Sequence, residues 1–241
     1  MNNESINFIL DASKDVYYTD LLLILCILVT VTRFLFLLSR DKYSKLFLFY
    51  CIAALLLNIR YYLALFPLFK DYSGIAFNEG ANTIFAVIEY IVFYYYFSAI
   101  ITSGFIKKVM KLFYVLVILA MLFFFFEAAW IKVDEYRLYK IANYIISSEL
   151  FVLAMLCFAY YLEIFRKKNL ENVSQSPAFL ITTSLLFYTI IVIPFFVLVG
   201  KGFSAANKDL YYIMFALHFI SFCFLFLAIT KASLCKKPLT T

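Results

Sequence analysis

Seven apolar runs, each close to twenty residues long and joined by short charged connections, decide what this chain can become. A bilayer hydrocarbon core of about 30 Å takes about 20 helical residues to cross, and only a structure that satisfies its backbone groups internally persists there. The runs fall at about 19–39, 46–69, 81–104, 109–131, 141–165, 178–199 and 210–232. They predict an all-α, polytopic membrane protein, with residues 1–241 forming one seven-transmembrane-helix bundle. No connection is long enough for a soluble domain. The chain is 66% hydrophobic and 15% charged, whereas soluble domains average about 45–50% and about 25%.

Orientation follows from where the basic residues lie. One set of alternate connections carries Arg40, Lys42, Lys45, Lys107, Lys108, Lys111, Arg166, Lys167, Lys168, Lys231, Lys236 and Lys237 against three acids, Asp41, Glu163 and Glu171. The opposite set has seven basic residues against ten acids. The bias repeats at each turn, which predicts the N-terminus out and the C-terminus in. Residues 1–18 lack the basic start and small-residue cleavage site of a secretory signal, so the first span is expected to stay with the protein. The net charge of +6 reads as topology rather than as a nucleic-acid surface, because no basic stripe with interleaved aromatics lies outside the runs. Nucleic acid is therefore not an expected partner; the lipid bilayer is.

Against this apolar background the intramembrane polar residues are conspicuous. A carboxylate inside a span costs about 2.5–3.5 kcal/mol on insertion scales unless a partner or water meets it. Counting from the outer ends of the runs, Arg60 lies nine residues in, and Glu89, Glu149 and His218 eight residues in. At 1.5 Å per residue all four should share a level about 12 Å from the outer boundary, with Asn58 slightly deeper. Two basic and two acidic groups on one level suggest pairs, Arg60 with Glu89 and Glu149 with His218. The alternative is that the same pairs merely lock helices together. Pro194 interrupts the sixth run and is the candidate hinge, since it removes a backbone donor and frees a carbonyl around Ile190. Arg33, near the inner end of the first run, reads as a snorkelling topology residue.

No catalytic constellation is present. A single histidine excludes HExxH and three-histidine zinc sites, and no metal or other cofactor is expected. The five cysteines form no CxxC pair and fall in no outward loop, so no disulfide framework is expected either. Gly202-Phe203-Ser204 has the GxS of intramembrane serine proteases, but fourteen helical residues to His218 would span about 21 Å. No Asp pair lies within the runs for aspartyl catalysis. Lys231, the lysine that a retinal protein would need in its last span, sits at the span's inner end.

Three stretches carry a resemblance: FAVIEYIVFYYYF (85–97), SPAFLITTSLLFYTIIVIPFF (176–196) and LYYIMFALHFISFCFLFLAITKAS (210–233). They resemble a group of bacterial seven-helix membrane proteins often encoded near two-component sensor kinases. Glu89 and the Pro177–Phe179 helix entry are the positions that carry over, while Leu180 stands where that group usually has Trp. The resemblance implies a sensory or signalling role in a bacterial inner (cytoplasmic) membrane.

The expected function is thus a receptor-like or signalling protein with an outward-facing polar pocket floored by Arg60, Glu89, Glu149 and His218. It would take a small-molecule ligand from the outer side and relay a change of state to a membrane or cytoplasmic signalling partner. A transporter or ion-pathway component using the same charged residues is the alternative, and it would require a second polar layer on the inner half. A structural subunit of a membrane complex is a further alternative and requires no pocket.

Overall fold

The computed structural model describes residues 17–37, 42–63, 75–130, 135–166, 176–200 and 208–234. These form seven helices: α1 Tyr17–Leu37, α2 Lys42–Leu63, α3 Ile75–Ile100, α4 Gly104–Trp130, α5 Glu135–Arg166, α6 Pro177–Gly200 and α7 Lys208–Leu234. Within them the segments Gly80–Ile100, Arg137–Arg166, Pro177–Leu198 and Asp209–Leu234 are long and apolar enough to cross a membrane. The chain is a multi-pass helical membrane protein. Exposed Leu, Phe and Val on nearly every helix would cost a soluble protein dearly, but lipid tails solvate them as well as a core does.

The helix ends have local causes. Ser176 caps α6, its Oγ accepting the Phe179 N–H at 3.0 Å, and Pro177 fills the first helical position, where its missing N–H costs nothing. Asp209 in the first turn of α7 and Arg166 in the last turn of α5 suit the helix dipole. Inside the helices most short polar side chains bond back to their own backbone. Asn58 donates to Ala54 O at 2.7 Å, Asn143 to Tyr139 O, Ser147 to Asn143 O and Ser148 to Tyr144 O. A polar group satisfied on its own helix needs no neighbour in hydrocarbon.

The helices pack in a definite order. α1 lies against α2 and α7, and the contacts continue α2–α3, α3–α5, α5–α6 and α6–α7, closing six helices into a ring. α4 sits in the groove between α3 and α5 with much of its surface, including Phe105, Leu112, Leu119 and Leu122, turned outward. The ring is sealed between α1 and α7, where the Thr30 and Thr230 hydroxyls meet at 2.8 Å. Aromatic rings fill the interior. Tyr50 of α2 stacks on Phe226 of α7 at 5.6 Å, and Phe85 of α3 meets Phe222 of α7 edge-on at 6.2 Å.

Several helix limits depart from the apolar runs, and α5 begins at Glu135, six residues before its own. α3 begins at Ile75, six residues before its run, and Gly80 lies inside it. α2 is described as far as Leu63, and residues 64–74, which hold the rest of its run, lie outside the described set.

Candidate functional site: a buried carboxylate pair

The helical register places both acids on buried stripes. On α3 Phe85, Glu89 and Phe93 follow one another at four-residue spacing, all buried, so Glu89 occupies a core position. On α5 the stripe runs Ala142, Ile146, Glu149, Leu153 and Cys157, again all buried. Because α3 packs against α5, the two stripes face each other. Glu89 is 2% exposed and Glu149 0%, and the two are close enough for their charges to interact. Both carboxylates are buried in this conformation.

Their surroundings differ. The Tyr50 hydroxyl donates to Glu89 Oε1 at 2.5 Å. Tyr50 is itself fully buried and fixed by three rings, Phe85 at 5.6 Å, Phe93 at 5.5 Å and Phe226 at 5.6 Å. That aromatic grip holds the hydroxyl in place and lowers the cost of ordering it. Glu149 has no such donor. Both of its oxygens are buried without a hydrogen-bond partner among the described residues. Tyr188 of α6 lies within electrostatic reach of both acids, and Tyr90 within reach of Glu149. A buried carboxylate beside another carboxylate, with no hydrogen bond among the described residues, is an unfavourable environment.

The remaining site residues lie elsewhere. Tyr50 marks the level of Glu89, and along α2 from there Asn58 is eight residues and Arg60 ten residues further, about 12 and 15 Å. The Arg60 side chain lies outside the described set. Asn58 is buried and bonded to its own helix. His218 is eight residues, about 12 Å, from Phe226 toward the start of α7. It is surrounded by Tyr188, Phe195, Phe196, Phe219 and Phe222, with ring centroids 5.7 to 6.1 Å away. Among the described residues its buried Nδ1 has no hydrogen-bond partner and neither has either Glu149 oxygen, so the two do not pair. The common level expected from the sequence therefore separates. Glu89 and Glu149 come together, while Asn58 and His218 lie well to one side. The cause is the difference between apolar runs and real helices: α3 and α5 both extend six residues beyond the outer ends of their runs, so Glu89 and Glu149 lie deeper together than a count from run ends gives. Pro194 lies within α6, exposed, and the helix continues through it to Gly200. Its missing N–H still leaves the Ile190 carbonyl without the usual donor.

A second polar region occupies the end of the bundle where α3 turns into α4. Glu163, 8% exposed, lies fourteen residues from Glu149 on α5. Its Oε2 accepts the Thr102 N–H at 2.8 Å and the Thr102 hydroxyl at 2.9 Å, and its Oε1 accepts the Ser103 N–H at 2.7 Å. One carboxylate thus collects free donors ahead of α4, where negative charge also suits the helix dipole. Between the two acids lie Tyr96 near Thr182, and Tyr160 near Ser176. The fully buried Phe93 and Leu153 separate these groups from the acid pair.

The sequence reading did not single out Tyr50 or Glu163 as site residues. Tyr50 is one of 20 tyrosines in an apolar run and nothing local marks it. Glu163 was counted with the loop acids, although its spacing from Glu149 was a usable signal, since fourteen helical residues return to within about 40° of the same face.

Among the described residues no three of His, Cys, Asp or Glu gather as a metal site, and Cys26, Cys51, Cys157 and Cys223 are free thiols. Neither known protein families, nor curated proteins, nor solved structures give a match to this chain.

Proposed function

We propose that the chain is a seven-span signalling protein of a bacterial inner membrane, N-terminus out and C-terminus in, in which a change at the Glu89–Glu149 pair is passed along α5 to the cytoplasmic face. The observation that carries this is Glu149, a fully buried acid with no hydrogen bond beside a second buried acid. Such a group is a poor structural element, because intramembrane hydrogen bonds contribute only about 0.6 kcal/mol on average while burying a charge costs several times that. What it supplies is sensitivity: a modest change at the pair alters the spacing that α3 and α5 prefer. At the other end of α5, Glu163 holds the α3–α4 turn. A shift of α5 against α3 would reposition that turn and the basic residues after it, which a kinase or other membrane partner could read. The likeness to seven-helix proteins encoded near sensor kinases points the same way.

The test is functional complementation. Cells lacking the gene, complemented with Glu89→Gln/Glu149→Gln at wild-type protein level, should fail to restore the wild-type transcription profile. Full restoration by the double variant would count decisively against the relay.

One observation favours the second reading, an ion pathway. The hydroxyls of Tyr96, Thr182 and Tyr160 form a polar layer between the acid pair and Glu163. The fully buried, apolar Phe93–Leu153 stretch ranks it second. Ion flux through purified protein in liposomes would reverse the order.

A further inference from the structure

The groups facing the acid pair can be named helix by helix. α2 brings the Tyr50 hydroxyl, already committed to Glu89, and the buried Cys51 thiol beside it. α3 brings Tyr90, whose hydroxyl is directed to the Met110 carbonyl of α4 at 3.4 Å, and α4 adds Tyr114 stacked on that ring. α5 contributes Cys157 two turns from Glu149, and α6 contributes the Tyr188 hydroxyl. α7 supplies the Phe222 and Phe226 rings, with His218 one turn beyond Phe222 and Cys223 next to it. Among the described residues no lysine or arginine pairs with either acid. Among the described residues the arrangement is one positive charge short. Two carboxylates sharing a dry site do not both stay ionised, and here only one of them has a donor to hold its charge.

We infer that Glu89 and Glu149 together form a binding site for a single monovalent cation, and that this cation is a proton carried on Glu149 while Glu89 accepts from Tyr50. As the input of the relay proposed above it rests on that reading, although the chemistry can be tested separately. A metal cation fits less well. Hard cations take a shell of several oxygens, and beyond the two acids the surroundings offer little but the Tyr188 hydroxyl among aromatic and aliphatic side chains. The proton needs only the unpartnered Glu149 oxygen.

Infrared difference spectroscopy of the full chain in lipid reads this directly. Wild-type protein labelled with 13C-carboxyl glutamate should show, at neutral pH, the C=O stretch of a protonated carboxyl in apolar surroundings. The band should shift with the label and with deuteration, and it should be lost in Glu149→Gln but kept in Glu163→Gln. Absence of a label-sensitive band from the wild type overturns the proposal without any variant having to fold. So does a band that persists in Glu149→Gln, or one seen only after sodium is removed, which would make sodium the occupant. A band that behaves as expected, combined with full complementation by the double variant, would leave the proton site standing and remove the signalling role.

Discussion

α5 carries two buried glutamates that are opposites in every respect except burial. Glu163 accepts from two backbone N–H groups and a hydroxyl just ahead of α4, whose N-terminal dipole favours it. Glu149, four turns away on the same face, accepts nothing and faces another acid. The difference teaches what a membrane interior does with charge. Where free backbone donors exist, a carboxylate becomes a structural clamp. Where they do not, it remains a group whose occupancy the protein can respond to.

The largest effect expected at these sites is that of Glu163→Ala. It strands several donors at once, at about 1–3 kcal/mol each when buried, so a loss of about 2–4 kcal/mol is expected after allowing for the partly exposed turn. Equilibrium unfolding in mixed micelles measures it, and Glu163→Gln, which keeps an acceptor, should recover at least half. A neutral Glu163→Ala would mean that the clamp contributes nothing. Next comes Tyr50→Phe, which removes the donor to Glu89 and should cost about 1.5–2 kcal/mol in the same assay. A smaller change of opposite sign is expected for Glu149→Gln, from no loss to a gain of about 1 kcal/mol, because the amide needs no bound proton to stay neutral beside Glu89. A loss above about 2 kcal/mol would show that Glu149 is a satisfied structural group, and the contrast on α5 would dissolve. The smallest effect is that of Thr30→Val at the α1–α7 seam, about 0.6 kcal/mol, the typical value of an intramembrane hydrogen bond. That variant calibrates the others.

Much of the architecture was legible because a bilayer leaves so few solutions. The apolar runs and punctuation such as Ser176-Pro177 mark helices that the structure contains. Depth was less legible. Apolar runs report where lipid can be, not where helices start, and α3 continues six residues past its run to Ile75. α5 does the same to Glu135, and this shared offset of more than a full turn keeps Glu89 with Glu149 while separating both from His218 and Asn58. Glu89 and Glu149 were recognisable because an acid in an apolar run is conspicuous by itself. Their meeting was not, since the order of helices around the ring is a property of packing. Tyr50 could be found only through Glu89, because a hydroxyl's role depends on what stands opposite it.

The seam between α1 and α7 has a consequence for biogenesis. The first helix finds one of its two flanking neighbours in the last, so during synthesis it must wait in the bilayer with the Thr30 side uncovered until α7 emerges. Closure of the ring of helices therefore waits for α7. A ribosome stalled before residue 208 would leave an open crescent, a natural substrate for membrane chaperones and quality-control proteases.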